Sequence, residues 1–281
     1  LIKLNLYGVS MKILKSYMPL LLLCVAFTAS SNNHCDPSRT ELPASCLTEQ
    51  FAMSVLWYQN AAEARAAFYQ GYQLGKLRLE QELKNKSEKP RAVVLDLDET
   101  VLDDSPHQAW LIKNQSFLLD GWDEWVDMAA AEAVPGAIDF LRFADENGVT
   151  IFYLSDRKQS QIDVTLKNLR RINLPQAKKE NLLLKTPEMQ GKQSRRDALE
   201  SQYDVVLYFG DNLADFIDSK GKSQAERNKM MEDVQQEFGK RFIIFPNPMY
   251  GDWYGGIIDG QFKAKNKELY KLRASKLTPF K

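Results

Sequence analysis

Five short apolar runs, set apart by amphipathic stretches, constrain the fold of this chain more than any other feature. The runs cover residues 92–97, 149–154, 182–184, 205–209 and 242–245. None of them alternates apolar with polar residues, and such uninterrupted runs are typical of strands covered on both faces. Helical spacing of apolar residues is found between them, at 136–146, 159–171, 192–201 and 223–238. We therefore predict an α/β fold, a doubly wound parallel sheet of the Rossmann-like kind.

The residues before the first run predict a different kind of structure. Residues 31–47 are polar, contain proline and are expected to be irregular. Residues 48–84 are rich in alanine, leucine, glutamine and glutamate, lack proline and repeat apolar groups at helical spacing. They predict one long helix or a helix pair, which the proline-containing stretch 87–90 ends.

The first thirty residues are predicted to be a leader. Lysines precede an apolar run at residues 17–27, and small residues follow it, which is typical of a secretory signal peptide. The run is too short to span a bilayer comfortably. We expect cleavage near Ser30 and a periplasmic or secreted protein. Cys24 lies in the run, but Leu23 stands where a lipoprotein would have a small residue, so a lipid anchor is disfavoured. Contact with a membrane is expected only if such an anchor is present.

Two cysteines remain in the mature chain, Cys35 and Cys46. An even number of cysteines in an exported protein favours a disulfide that closes a short loop, with two unpaired thiols as the alternative. No cysteine or histidine spacing in the chain suggests a zinc site.

Composition excludes several classes of function. Lysine plus arginine equals aspartate plus glutamate, 37 against 37, so the chain has no net basic charge to bind a nucleic acid polymer. The two histidines, His34 and His107, leave little for a Ser-His-Asp triad or a histidine-rich metal site. Hydrolytic chemistry in this chain must therefore depend mainly on carboxylates.

Polar side chains follow the predicted strands at the edge where a parallel sheet of this kind binds its ligands. Carboxylates that converge without histidine or thiol suit Mg²⁺ and a phosphate group. One carboxylate can attack phosphorus to give an aspartyl-phosphate while another handles protons, and a hydroxyl and an ammonium can hold phosphate oxygens. The groups expected at this edge are Asp96, Asp98, Ser155, Lys192, Asp211 and Asp215, with Lys185 as an alternative to Lys192.

Two motifs, VVLDLDETVLDDS and VVLYFGDNLADF, resemble the paired signatures of class C bacterial acid phosphatases, subfamily IIIB of the haloacid dehalogenase (HAD) superfamily. The resemblance implies one HAD-like phosphatase domain over residues 48–281. It also implies a smaller, mainly helical cap region, with helical additions at about 48–84 and 104–134.

The resemblance also implies roles for individual residues. Asp96 would be the nucleophile, Asp98 the general acid and later the base, and Ser155 and Lys192 would bind phosphate. The Mg²⁺ ligands would be Asp96, the Asp98 carbonyl, Asp211 and, in a supporting role, Asp215. Trp122 and Tyr250 would stack on the substrate, which favours nucleoside 5′-monophosphates and aryl phosphates, whereas Trp125 and Trp253 are assigned to the core.

The chain departs from the class signature at four positions, Asp104, His107, Asp156 and Tyr254. The extra carboxylates of Asp104 and Asp156 are expected to add negative charge near the bound phosphate, and His107 is either structural or close to the nucleophile.

The sequence thus predicts an exported Mg²⁺-dependent acid phosphatase with an acidic optimum, which acts on small phosphomonoesters including nucleoside 5′-monophosphates. A phosphotransferase of the same fold and a non-catalytic phosphate-binding or storage relative are the alternatives. The sequence leaves the oligomeric state open.

Overall fold

A computed structural model describes residues 35–117 and 119–280, so the predicted leader at 1–30 lies outside the described residues. Its strands are β1 (Arg91–Leu95), β2 (Leu102–Asp103), β3 (Glu132–Ala133), β4 (Thr150–Lys158), β5 (Leu182–Lys185), β6 (Asp204–Gly210) and β7 (Phe242–Ile244). In the described part of the chain, five of them form one parallel sheet in the order β5-β4-β1-β6-β7. The predicted α/β fold with a parallel sheet is confirmed.

Helices lie between the strands along the chain, and further helices precede β1 and follow β7. They are α1 (Ser45–Thr48), α2 (Ala52–Asn60), α3 (Ala62–Glu82), α4 (Ser105–Lys113), α5 (Trp122–Met128), α6 (Ala137–Glu146), α7 (Ile162–Arg171), α8 (Gln193–Gln202), α9 (Gln224–Asp233), α10 (Asp252–Ile257) and α11 (Asn266–Ser275). The predicted segment 48–84 is a helix pair, because the extended backbone of Ala61 separates α2 from α3. No helix in the described ranges is long and apolar enough to cross a bilayer.

Alternate residues of the strands enter two hydrophobic cores, one on each face of the sheet. In β1, Val93 and Leu95 pack into a core that includes residues of α3, α6 and α7. Ala92 and Val94 point to the other face, where Leu199 of α8 covers them. The uninterrupted apolar runs follow from this burial on both faces.

Three local predictions were incomplete. Strand β4 does not end at residue 154 but continues to Lys158, which pairs with Lys185 after a shift in register. Strands β2 and β3, which pair antiparallel, are too short to give a periodic signal. The segment predicted to be irregular ends in the buried helix α1, which Cys35 ties to the preceding loop through its disulfide with Cys46. The predicted disulfide is thus present in the structure.

Helix α3 approaches the sheet closely because it carries glycine at two contact positions. A Cβ on Gly75 would lie 2.5 Å from the Phe209 ring of β6, and a Cβ on Gly71 would lie 2.3 Å from the Phe245 ring. Both distances are shorter than a carbon–carbon contact, so these glycines set the separation of helix and sheet. Phe209 immediately precedes the Gly210-Asp211 sequence, so this packing also supports the carboxyl edge of β6.

We expect Gly75→Ala to destabilise the protein although alanine favours helix formation. Overpacking against Phe209 should lower the free energy of unfolding by about 1–3 kcal/mol, against a gain in helix propensity of about 1 kcal/mol. Urea unfolding measures the net change. Gln73→Ala, at an exposed position of the same helix, is the control and should change stability by less than about 0.5 kcal/mol. A Gly75→Ala protein more stable than the parent would contradict the packing argument.

Candidate active site

Three carboxylates converge at the carboxyl edge of the central sheet. Asp96 follows β1, and its backbone N–H donates to the carbonyl of Phe209 in β6 (3.0 Å). Asp211 follows β6 directly, and Asp215 ends a 3₁₀ turn, Leu213–Asp215. One oxygen from each of the three carboxylates lies within 4.8 Å of the others. The structure therefore brings together Asp96, Asp211 and Asp215 as the sequence predicted.

A buried lysine lies between two of these carboxylates. Lys192 immediately precedes α8, and its ammonium donates to Asp96 and, at 2.6 Å, to Asp215. Burial disfavours the charged form, but the carboxylates of Asp215 and Asp96 raise the pKa of Lys192 above its usual range, so the ammonium stays protonated. Lys185, the alternative for this role, lies on β5 beside Lys220.

The charges of this cluster do not balance. Among the described residues, three carboxylates share the single ammonium of Lys192, which leaves an excess of two negative charges when all are ionised. Burial and the neighbouring Asp215 raise the pKa of Asp211 to about 7, and burial raises that of Asp96 well above its usual range. A set of carboxylate oxygens with this excess charge fits a hard divalent cation such as Mg²⁺.

Asp98 lines the same cavity but its carboxylate turns away from this cluster. Arg157 donates to Asp98 Oδ1 through Nε at 2.8 Å, and its Nη2 lies 2.7 Å from the same oxygen. Ser155 Oγ donates to Asp98 Oδ2 at 3.3 Å. Although burial alone would raise it, the Arg157 guanidinium holds the pKa of Asp98 below its usual range. Ser155 is fully buried. Asp98 and Ser155 were each predicted as site residues, and in the structure their side chains are in direct contact.

The carboxylates of Asp104 and Asp156, which were expected to add negative charge near a phosphate, each lie beside cations, and Asp104 shares its arginine with Asp98. Asp104 is fully buried against Arg157. Asp156 pairs with Arg195 at 2.6 Å and with Lys220, and these contacts lower its pKa to about 2 although burial opposes the shift.

Tyr250 is anchored by a buried glutamate. Its hydroxyl donates to Glu99 Oε2, and Glu99 Oε1 accepts the backbone N–H of Asp104 (2.9 Å). Burial, together with the carboxylates around it, raises the pKa of Glu99 well above its usual range. Glu99 thereby ties the loop after β1 to the start of α4 and to the segment that carries Tyr250.

A cavity of about 640 Å³ opens from the carboxylates toward the helical additions. At one end lie Asp96, Asp98 and Lys192. The apolar and aromatic side chains of its lining, called the apolar wall, include Phe51, Val55, Leu111, Phe117, Trp122, Tyr250, Tyr254 and Phe262. The site therefore joins a charged end to an apolar space large enough for an aromatic group.

The predicted aromatic residues take different places around this cavity. Trp122 lies in its wall with its ring 5.7 Å from the Arg157 guanidinium carbon. Trp125 and Trp253 pack against hydrophobic clusters as assigned. His107 stacks edge-on against Trp122, and its Nε2 lies 2.8 Å from the carbonyl of Asp120. Burial lowers the pKa of His107, and its contacts with Trp122 and Asp120 are those of a residue packed behind the wall.

Sequence reasoning missed the residues that hold others in place. Arg157 follows Ser155 by two positions on a strand, so the period of two could have placed both on one face. Asn247, whose Nδ2 donates to Asp211 Oδ2 at 2.8 Å, stands in a proline-rich loop with no periodic signal. Arg273 of α11 donates to the hydroxyl of Tyr254 at 2.7 Å, and no local pattern connects residues so far apart.

Comparison with known proteins gives one consistent result. Residues 22–253 match the family model of HAD superfamily, subfamily IIIB (Acid phosphatase). The class C acid phosphatase from Bacillus anthracis is 49% identical, in a match that covers 84% of this chain and 99% of that chain. Its structure with tungstate bound superposes with a TM-score of 0.82, and a second structure of it with a TM-score of 0.81.

We expect Asp211→Asn to stabilise the metal-free protein above neutral pH. Because the folded-state pKa of Asp211 is about 7 and unfolded aspartate titrates near about 3.9, its ionisation costs stability progressively as pH rises between these values. In EDTA, the free energy of unfolding of the parent should fall over this interval, and the asparagine variant should lose about 1–3 kcal/mol less. Urea unfolding from pH 4.5 to 8 measures both. Equal pH slopes in the two proteins would contradict the assignment.

Proposed function

The chain belongs to subfamily IIIB of the HAD superfamily, the acid phosphatases, which hydrolyse phosphomonoesters, and from this we propose that it acts through an aspartyl-phosphate on Asp96 with Mg²⁺ bound. The observation that carries the proposal is the convergence of Asp96, Asp211, Asp215 and Lys192 at the charged end of the cavity. A non-catalytic relative would not need this arrangement.

Asp96 is the group best placed to attack phosphorus. Its carboxylate faces the cavity from the end of β1 and contacts the ammonium of Lys192. Attack forms the Asp96 oxygen–phosphorus bond and breaks the bond from phosphorus to the ester oxygen, which takes a proton from Asp98 and leaves as an alcohol. Asp98 then accepts a proton from the water that cleaves the aspartyl-phosphate, which restores Asp96 and releases inorganic phosphate.

A divalent ion would be held by the carboxylates of Asp96, Asp211 and Asp215 and by the carbonyl of Asp98. When bound, Mg²⁺ supplies positive charge that lets an anionic nucleophile meet an anionic phosphate. Lys192 adds a further positive charge for the phosphate oxygens, and the Ser155 hydroxyl is the expected neutral donor. The tungstate bound to the Bacillus anthracis relative supports a site for a tetrahedral oxyanion in this family.

The proton that Asp98 donates is expected to arrive with the substrate. Because Arg157 holds the pKa of Asp98 below its usual range, its carboxylate is ionised in the empty site. Below about pH 6 a phosphomonoester keeps one proton, which it can pass to Asp98 on binding. This supply of protons favours activity on the acidic side of neutrality.

The preferred substrates are expected to be phosphomonoesters with an aromatic group, including nucleoside 5′-monophosphates. The apolar wall with Trp122 and Tyr250 supports this, because an aromatic face stacks on any nucleobase.

An exported location remains a proposal from the leader-like residues 1–30. The disulfide between Cys35 and Cys46 supports it, because such bonds persist in oxidising compartments.

Replacement of the nucleophile tests the proposed reaction. Asp96→Asn should lower kcat for p-nitrophenyl phosphate by more than about a thousandfold, because an amide oxygen is a poor nucleophile. In the parent, EDTA should abolish turnover and Mg²⁺ should restore it. Asp139→Asn, at an exposed position of α6, is the matched control and should keep parental activity. Parental turnover by a folded Asp96→Asn protein would show that Asp96 is not the nucleophile.

Substrate preference is tested at the aromatic wall. Tyr250→Ala and Trp122→Ala should each raise KM for adenosine 5′-monophosphate by about tenfold, the loss expected for one stacked base. KM for glycerol phosphate, which has no ring, should change little. Tyr250→Phe keeps the ring and loses only the hydroxyl contact with Glu99, so it should retain most of the affinity for the nucleotide. Equal increases in KM for both substrates would argue against stacking.

A further inference from the structure

Both oxygens of the Asp98 carboxylate are held by residues of one strand. Arg157 binds Oδ1 through Nε at 2.8 Å and through Nη2 at 2.7 Å, and Ser155 Oγ donates to Oδ2 at 3.3 Å. Ser155 and Arg157 alternate along β4, so their side chains leave the strand on the same face. The rotation of the Asp98 side chain is therefore restricted from one direction by a rigid element of the central sheet.

Arg157 is in turn fixed from behind. Its Nη2 lies 3.3 Å from Asp104 Oδ1, and Trp125 Nε1 donates to the same carboxylate oxygen at 2.5 Å. The side chains of Arg157 and Asp104 are 1% and 0% exposed, so no solvent weakens the pair. The order of contacts is Trp125, Asp104, Arg157 and Asp98, from helix α5 through the interior to the cavity.

We infer that Arg157, braced by Asp104 and Trp125, is a positioning residue that aims the Asp98 carboxyl at the oxygen of the leaving group. The inference rests on the proposed role of Asp98 as the general acid. Oδ1 accepts two N–H donors of the guanidinium, whereas the contact of Oδ2 with Ser155 Oγ is longer, at 3.3 Å, so we assign to Oδ2 the proton that goes to the leaving oxygen. The same Oδ2 later accepts the proton of the attacking water, so Asp98 regains the proton that it gave to the leaving group.

Two alternatives to this positioning role predict different behaviour. If Arg157 bound the phosphoryl group itself, its loss would weaken every substrate and inorganic phosphate alike. If it only stabilised the fold, its loss would lower the unfolding temperature and reduce all rates by the same factor. A positioning role instead predicts a loss that depends on how much the leaving oxygen needs a proton.

Substituted phenyl phosphates separate these possibilities, because their shape is constant while the acidity of the released phenol varies. p-Nitrophenolate leaves readily without a proton, whereas unsubstituted phenolate depends on the general acid more strongly. Arg157→Met and Arg157→Lys should lower kcat/KM for phenyl phosphate by about a hundredfold, within the range for general acid catalysis. For p-nitrophenyl phosphate, the loss should be at least about tenfold smaller, in line with the weaker need for a proton.

Arg157→Lys keeps the test valid if the methionine variant does not fold. Lysine retains the buried positive charge, but a single ammonium cannot reproduce the planar fork that spans Asp98 and Asp104. The inhibition constant of inorganic phosphate should stay within about threefold of the parent, because Lys192 and Ser155 remain. Arg241→Lys, which alters an arginine paired with Glu200 away from the cavity, is the control and should keep the parental rates.

Asp98→Asn is the reference that separates this inference from the proposed function. If Asp98→Asn steepens the dependence of kcat/KM on phenol acidity and the Arg157 variants do so as well, the positioning role is supported. If Asp98→Asn steepens it and the Arg157 variants lose activity equally across the series, the inference is overturned while the general acid stands. If Asp98→Asn leaves the dependence unchanged, the proposed acid role fails, and the inference fails with it.

Discussion

The arrangement of this site depends on a buried excess of negative charge. Asp96, Asp211 and Asp215 are drawn together by the ends of β1 and β6 and by the turn that follows, and Lys192 neutralises one charge of the three. Such a cluster is expected to destabilise the metal-free protein above neutral pH, and a bound divalent ion would offset the repulsion. The strands that carry the cluster are held by a hydrophobic core on each face of the sheet.

Asp98 belongs to a second group of charges that is separate from the first. Its cationic partner is Arg157 of β4, which also pairs with Asp104 at the start of α4. Two carboxylates that are separated by a single residue, Leu97, thereby face different cations. The environments of Asp96 and Asp98 differ accordingly, since burial raises the pKa of the first while the guanidinium lowers that of the second. A divalent ion bound at Asp96 would lower its pKa and leave it ionised as the proposed nucleophile, whereas Asp98 keeps its separate place beside Arg157.

The sequence was sufficient for the groups that stand at strand ends, because strand periodicity and sheet topology decide where they lie. Asp96 and Asp211 were found in this way. The sequence was insufficient to predict contacts that depend on three-dimensional packing, such as the contact of Glu99 with Tyr250. The length of β4 was also underestimated, because Ser155 to Lys158 are polar and Lys158 pairs with Lys185 of β5 only after a shift in register. The cationic partners of Asp104 and Asp156 were not predicted, since they come from other elements.

Part of the apolar wall comes from the two ends of the described chain rather than from the central sheet. Arg273 of α11 donates to the carbonyl of Leu47 at 2.7 Å and to the hydroxyl of Tyr254, and its guanidinium carbon lies 4.4 Å from the centre of the Phe51 ring. The charged end of the cavity is fixed by the ends of β1 and β6, whereas part of the wall is fixed by the contacts of α11 with Tyr254 and Phe51. If the proposed function holds, substitutions in the wall can change the selectivity among phosphomonoesters without disturbing Asp96 or its partners.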